Sequence, residues 1–179
     1  KVTLDTGANL ISENDMIGVN ATGAYSIPGY EVTNKGKISI KGNSAGIYVT
    51  NGAEALNDTT GQISIGEKSV GMYGDPAGNN STLANNGEIS LNGLSAVGMF
   101  GKITGAGTLT VNNAGVIKSN NNYTGTLGMV LENPSITATN SGTIDLRGDD
   151  SIGVYNKDGK FEMTNGSIYV DGDKSVGIY

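Results

Sequence analysis

The chain has 179 residues, 36% of them apolar, with 29 glycines but only three prolines, two phenylalanines and no tryptophan, so a modest aliphatic core broken by frequent turns is expected. Cysteine and histidine are absent, which excludes disulfides and thiolate metal sites and removes the commonest general base and metal ligand. A net charge of −6 with Arg147 as the single arginine argues against nucleic acid and against an anionic membrane surface.

In chain order, the opening KVTL reads as a strand that starts at Lys1, and the chain is read as a fragment of something longer. The phrase IGVN (17–20) is the first, degenerate copy of a motif made of an apolar residue, glycine, a second apolar residue and usually an aromatic one. YEVTN (30–34), NKGKISI (34–40) and AGIY (45–48) follow, then TTGQISI (59–65) and VGMY (70–73), then NNGEISL (85–91) and VGMF (97–100). LTVNN (109–113), NAGVIKS (113–119) and LGMV (127–130) come next, then SITATN (135–140), NSGTIDL (140–146) and IGVY (152–155). FEMTN (161–165), TNGSIYV (164–170) and VGIY (176–179) end the series.

The glycines of the first motif, Gly18, Gly46, Gly71, Gly98, Gly128, Gly153 and Gly177, are spaced by 24 to 30 residues. Those of the second, Gly36, Gly61, Gly87, Gly115, Gly142 and Gly166, keep the same irregular beat. Two phrases in phase, joined by a third apolar run, give three short strands per repeat separated by Gly, Asn and Asp turns. No window has a helical period, and no run of about 18 apolar residues occurs.

Three short strands per repeat of roughly 25 residues make an all-β fold, a parallel β-helix of about six to seven coils and roughly 30 Å of rod. A right-handed winding follows from the usual β crossover. Propeller blades are longer, hexapeptide β-helices have a shorter sub-period, and an Ig-like sandwich would not repeat the same words. One β-helix segment over 1–179, with no internal domain boundary, is expected.

Equivalent positions of successive coils stack into columns. Alternation places Ile38, Ile63, Ile89, Ile117, Ile144 and Ile168 inside, with Ile40, Ile65, Leu91, Leu146 and Val170 two residues on. Ser39, Ser64, Ser90, Lys118, Asp145 and Tyr169 then face out. In the glycine motif, the same parity places both neighbours of the glycine inside: Ala45, Val70, Val97, Leu127, Ile152 and Val176 before it, and Ile47, Met72, Met99, Met129, Val154 and Ile178 after it. The glycine, the hydroxyl residue two before it and the aromatic two after it would face out.

The aromatic column Tyr48, Tyr73, Phe100, Tyr155 and Tyr179, interrupted by Val130, is the candidate ligand-binding surface, because flat sugar faces pack on such rings. The alternative is that the rings only cover neighbouring strands or tuck inside as core. The hydroxyl column Ser44, Ser69, Thr126, Ser151 and Ser175, with Ser95 offset by one, is read as bonding adjacent backbone. A Ser-Lys pair with Lys68 or Lys174 is disfavoured because neighbouring side chains on a strand point apart. An asparagine column, Asn34, Asn85, Asn113 and Asn140, with Thr59 and Thr164 substituting, is read as structural.

Asp149 and Asp173 share a column, which allows Ca²⁺ binding or acid/base work. The preferred reading is a surface charge lattice of Asp150 with Lys174 and Arg147 with Asp171. No cofactor or metal site is expected. The stretches ATGAYSIPGY (21–30), YGDPAGNNST (73–82), FGKITGAGT (100–108) and NNNYTGT (120–126) break the period and read as protruding recognition loops or as solvated turns.

The coupled phrases NSGTIDLRGDDSIGVY (140–155) and TNGSIYVDGDKSVGIY (164–179) resemble the passenger region of large type V autotransporter adhesins, in particular the RadD-like fusobacterial outer-membrane group. That resemblance covers nearly the whole chain and is weakest over the first 30 residues. It implies a secreted, monomeric rod displayed on the bacterial surface by a C-terminal membrane β-barrel. It also implies attachment to host cells and coaggregation with other bacteria through protein or glycan receptors, without catalysis. No binding residue carries over, because the matched positions are scaffold. The rival is a β-helix polysaccharide-degrading enzyme, for which Asp149, Asp150 and Asp173 are the only candidate catalytic groups.

Overall fold

The computed structural model describes residues 1–23 and 29–179, so the centre of the 21–30 stretch lies outside the described residues. The described chain is all strand and turn, with 21 strands in three parallel sheets of seven, and it winds about six times between its first and last strands. Each sheet takes every third strand, as a solenoid with three strands per coil requires.

The first sheet is built from Val2–Leu4, Val32–Asn34, Glu54–Asn57, Ser81–Asn85, Leu109–Asn113, Ile136–Asn140 and Lys160–Met163. Asn9–Ser12, Lys37–Gly42, Gln62–Glu67, Glu88–Leu91, Val116–Lys118, Thr143–Arg147 and Ser167–Asp171 form the second. The third consists of Ile17–Thr22, Ala45–Thr50, Val70–Asp75, Val97–Lys102, Leu127–Glu132, Ile152–Lys157 and Val176–Ile178.

Strict alternation holds in the second sheet. Ile38, Ile63, Ile89, Ile117 and Ile144 are buried in register, as are Ile40, Ile65 and Leu91, and Leu146 is buried too, while Ser39, Ser64, Ser90, Lys118 and Asp145 alternate with them, Ser90 covered by its bond to Glu88. Each fully buried aliphatic side chain contributes about 1.5 to 3 kcal/mol. In the last coil Ile168 and Val170 are only partly buried.

The third sheet departs from alternation. A Cβ on Gly46 would lie 3.0 Å from the Ile63 Cγ2 methyl and 2.7 Å from the Gly71 carbonyl oxygen, so the glycine points inward at the isoleucine column. The next residue, Ile47, Met72, Met99, Met129 or Val154, is also fully buried. Two consecutive inward positions shift the parity, as at a bulge. Ala45, Val70, Val97, Leu127 and Ile152, expected inside, are therefore half-buried on the outer face, and Val176 is exposed there. The expected inward member Ile178 is also exposed, on the last strand of its sheet.

The asparagine column is buried and its membership changes. Asn34 is paired with Asn57, not Thr59, and Asn140 with Met163, not Thr164. Through Asn34, Asn57, Asn85, Asn113 and Asn140 each side-chain amide donates to the next Oδ1 at 2.7 to 2.8 Å. Thr59 and Thr164 match the phrase, but the strand pairing that sets the column runs through the residue ending each first-sheet strand.

Candidate functional site: the outer face of the third sheet

The parity shift brings two apolar columns side by side on the outside. One is Ile17, Ala45, Val70, Val97, Leu127, Ile152 and Val176, in continuous register. The other, three residues on, contains Tyr48, Tyr73, Phe100 and Tyr155, all half-buried, and the exposed Tyr179. The rings of Tyr48 and Tyr73 stack at 5.0 Å between centroids, those of Tyr73 and Phe100 at 5.1 Å, and those of Tyr155 and Tyr179 at 5.4 Å. The structure thus places all five sequence-predicted ring positions on one outer face.

Val130 divides the column in two and is itself buried. Because stacked rings cover one another's faces, the surface offered outward is a row of ring edges beside a row of aliphatic side chains. Sequence reasoning missed that aliphatic row. The available signal was the glycine: a position that is glycine in every coil is one where no side chain fits, and such a position faces the packed interior.

Asp75 closes one margin of this face. Its carboxylate accepts from the Thr104 backbone N–H at 3.0 Å and from the Thr104 hydroxyl at 2.8 Å, tying the 103–108 turn to the coil before it. The Gly78 N–H donates to the Ala106 carbonyl at 2.7 Å, and the Thr108 N–H to Asn80 Oδ1 at 3.1 Å. The period-breaking stretches 73–82 and 100–108 therefore stack on each other as a thickened corner. Burial, reinforced by the negative charge of Asp75, by Tyr48 and by Glu132, pushes the Tyr73 phenol up to about 12.

The opposite margin is the turn between the second and third sheets. Asp15, Asn43, Lys68, Ser95, Asp150 and Lys174 occupy equivalent left-handed positions there, with φ between 47° and 61°. The hydroxyl column follows by one residue and, contrary to the outward expectation, Ser44, Ser69, Thr126 and Ser151 are buried. Ser44 donates to the Gly42 carbonyl at 2.6 Å, Ser69 to that of Glu67 at 3.2 Å, and Thr126 shares a 2.9 Å bond with Ser151. Ala96 takes the buried place beside the offset Ser95. Lys68 is held 3.0 Å from Glu67, so it does not serve Ser69 as a base.

The acidic candidates sit on exposed turns. Asp149 Oδ1 accepts from the Asp173 N–H at 2.9 Å, and the Asp150 N–H donates to the Asp173 carbonyl at 2.9 Å. Arg147 bridges Asp145 at 2.8 Å and reaches Asp171 at 3.6 Å, with its guanidinium 4.3 Å from the Tyr169 ring centroid. Asp150 and Lys174 hold the same left-handed turn position in successive coils, but the expected ion pair between them does not form. Among the described residues no cluster of three or more acidic side chains is disposed to hold a metal ion.

Comparison with known families matches residues 2–167 to the BigA third pectate lyase-like domain. The chain belongs to that family. No significant match was found among curated proteins or among solved structures. Membership in the BigA domain family accords with the coarse expectation of a bacterial surface β-helix.

Proposed function

We propose that this chain is a rigid β-helical segment of an autotransporter-type passenger, displayed extracellularly at the outer membrane, that serves adhesion to host cells and to other bacteria. The observation that carries this reading is the outer face of the third sheet, where a half-exposed aliphatic column in continuous register runs beside an aromatic column interrupted only at the buried Val130. Contiguous apolar surface of that kind marks interaction sites. A protein or glycan receptor is its partner, the RadD-like fusobacterial adhesins are its functional analogues, and coaggregation and virulence are the contexts in which it acts. In this reading the role is non-catalytic: the Asp149 carboxylate accepts from the Asp173 N–H of the next coil, and Arg147 pairs with Asp145 and Asp171.

The test is binding of the labelled chain to epithelial cells and to panels of oral and enteric bacteria. Val70→Ser combined with Tyr73→Ser is expected to weaken capture by about tenfold or more while the fold persists. Unchanged capture would remove the third-sheet face as the contact. Release of new reducing ends from a polysaccharide panel, lost in Asp149→Asn with Asp173→Asn, would instead establish the enzymatic rival.

A further inference from the structure

The corner where the first sheet passes into the second carries a longitudinal groove. One concavity of about 510 Å³ runs along Gly61, Gly87, Gly115 and Gly142, and a second of about 340 Å³ joins it through shared Thr60 and Gln62. Glycine recurs here because the coils close up on each other: a Cβ on Gly87 would strike the carbonyl oxygens of Gly61 and Asp58. The surface above these glycines is left without side chains, and one wall is the in-register column Asn9, Lys37, Gln62, Glu88, Val116 and Thr143.

We propose that this groove binds an extended, uncharged oligosaccharide of β-linked pyranoses, laid along the rod axis. The backbone offers a ligand little at this corner. The N–H groups of Gln62, Glu88, Val116 and Thr143 already donate to the carbonyls of Gly36, Gly61, Gly87 and Gly115 at 2.8 to 2.9 Å. A peptide adding itself as a strand needs a free strand edge, and it advances about 3.3 Å per residue against about 4.8 Å per coil. A pyranose unit in an extended β-linked chain is about as long as one coil is tall, so each sugar meets the same wall position in turn.

What remains available is side-chain hydrogen bonding. The amides of Gln62 and Asn86 and the hydroxyl of Thr59 line the groove with no hydrogen-bond partner among the described residues. Glu88 is compensated by Lys118 at 2.8 Å and Lys35 by Asp58 at 3.9 Å; the Lys37 ammonium, without an ion pair among the described residues, lies only at the smaller concavity, so the longer one favours a neutral ligand. Ala114 and Val116 give an apolar patch against which a sugar ring face can rest. The groove lies between the first and second sheets, away from the aromatic columns of the third, so the inference stands whether or not that face binds a receptor.

The test is calorimetric titration of the 179-residue chain with cellohexaose and chitohexaose, with cellobiose and chitobiose as length controls. A hexasaccharide is expected to bind at least about tenfold more tightly than its disaccharide, and Gln62→Ala with Asn86→Ala to weaken it by about tenfold. Both substituted residues are exposed, and Ala114→Arg, also at an exposed position, is expected to block the groove. Tyr73→Ala should leave binding unchanged. Absence of saturable binding by both hexasaccharides overturns the proposal, as does binding that survives the groove substitutions or is lost in Tyr73→Ala.

Discussion

Two columns of stacked side chains run along this rod, one inside and one outside, and they behave oppositely. The asparagines Asn34 to Asn140 are fully buried, and each amide satisfies the next. The rings Tyr48, Tyr73 and Phe100 stack with comparable regularity but keep their edges in solvent. A buried polar column must close its own hydrogen bonds, so it rigidifies the rod and leaves nothing for a ligand. An outer apolar column has no such obligation, and its cohesion is only part of what its surface can contribute.

Breaking the inner column should have the largest effect. Asn85→Leu removes the donor to the buried Asn113 Oδ1, which is stranded, and the shortest bond of the Asn57 amide, which keeps only its 3.3 Å bonds to the Gly61 and Glu88 carbonyls. With a stranded group costing about 1 to 3 kcal/mol and a lost bond about 1 kcal/mol, a loss of about 2 to 4 kcal/mol is expected in denaturant unfolding. A loss under about 1 kcal/mol would show that the ladder is not what holds this corner.

Next comes the glycine that sets the parity of the third sheet. A Cβ on Gly71 would sit 2.6 Å from the Gly98 carbonyl oxygen and 2.8 Å from the Ile89 methyl, whereas Gly177 has nothing within 4 Å. Gly71→Ala is expected to destabilise by about 2 to 3 kcal/mol through overpacking, and Gly177→Ala to stay within about 0.5 kcal/mol. Equal melting shifts for the two variants would contradict the inward glycine, and with it the outward aliphatic column.

The winding, the second-sheet core and the outward aromatic positions were all legible in the sequence. Two phrases recurring in phase can only be satisfied by stacking, and alternation in runs such as KISI fixes the inward isoleucines. What was not legible followed from parity and register. Alternation around Gly46 failed because one strand turns two successive residues inward, which placed Val70 and Val97 outside and Ser69 inside. Asn57 escaped notice because it lies two residues before Thr59, outside the phrase, and only strand pairing aligns it with Asn34 and Asn85. The left-handed turn shared by Asp150 and Lys174 likewise depends on backbone geometry, which their opposite charges do not report.

On the outer column, the Tyr73 phenol is raised to about 12 by burial first and by Asp75, Tyr48 and Glu132 after it. A raised folded pKa means that the folded chain holds this proton more tightly than the unfolded one. The stabilisation is complete below pH about 10 and is lost as pH climbs from there towards 12. Discounted for solvent screening at a half-exposed ring, the effect is about 1 kcal/mol. Denaturant midpoints between pH 9 and 12 should fall more steeply for the native chain than for Tyr73→Phe, and parallel curves would place the phenol in open water.

The smallest expected effect tests whether ion pairing on the second sheet's outer face matters beside these columns. Burial pushes the Glu88 carboxyl up, but the hydrogen bonds from Lys118 and Ser90, with the Lys118 charge, outweigh it and leave the group below its ordinary value. The folded form therefore favours the carboxylate, and the stabilisation is present above the ordinary carboxylate range and lost as pH falls through it. Because Glu88 and Lys118 are both partly solvated, the contribution is held to about 0.5 kcal/mol. Lys118→Met should lower stability at neutral pH by about that amount and leave it unchanged below about pH 3, which flattens the acid limb of the stability curve. A larger loss at neutral pH would mean that the salt bridge also fixes the Glu88 wall of the corner groove, since the same carboxylate lines it.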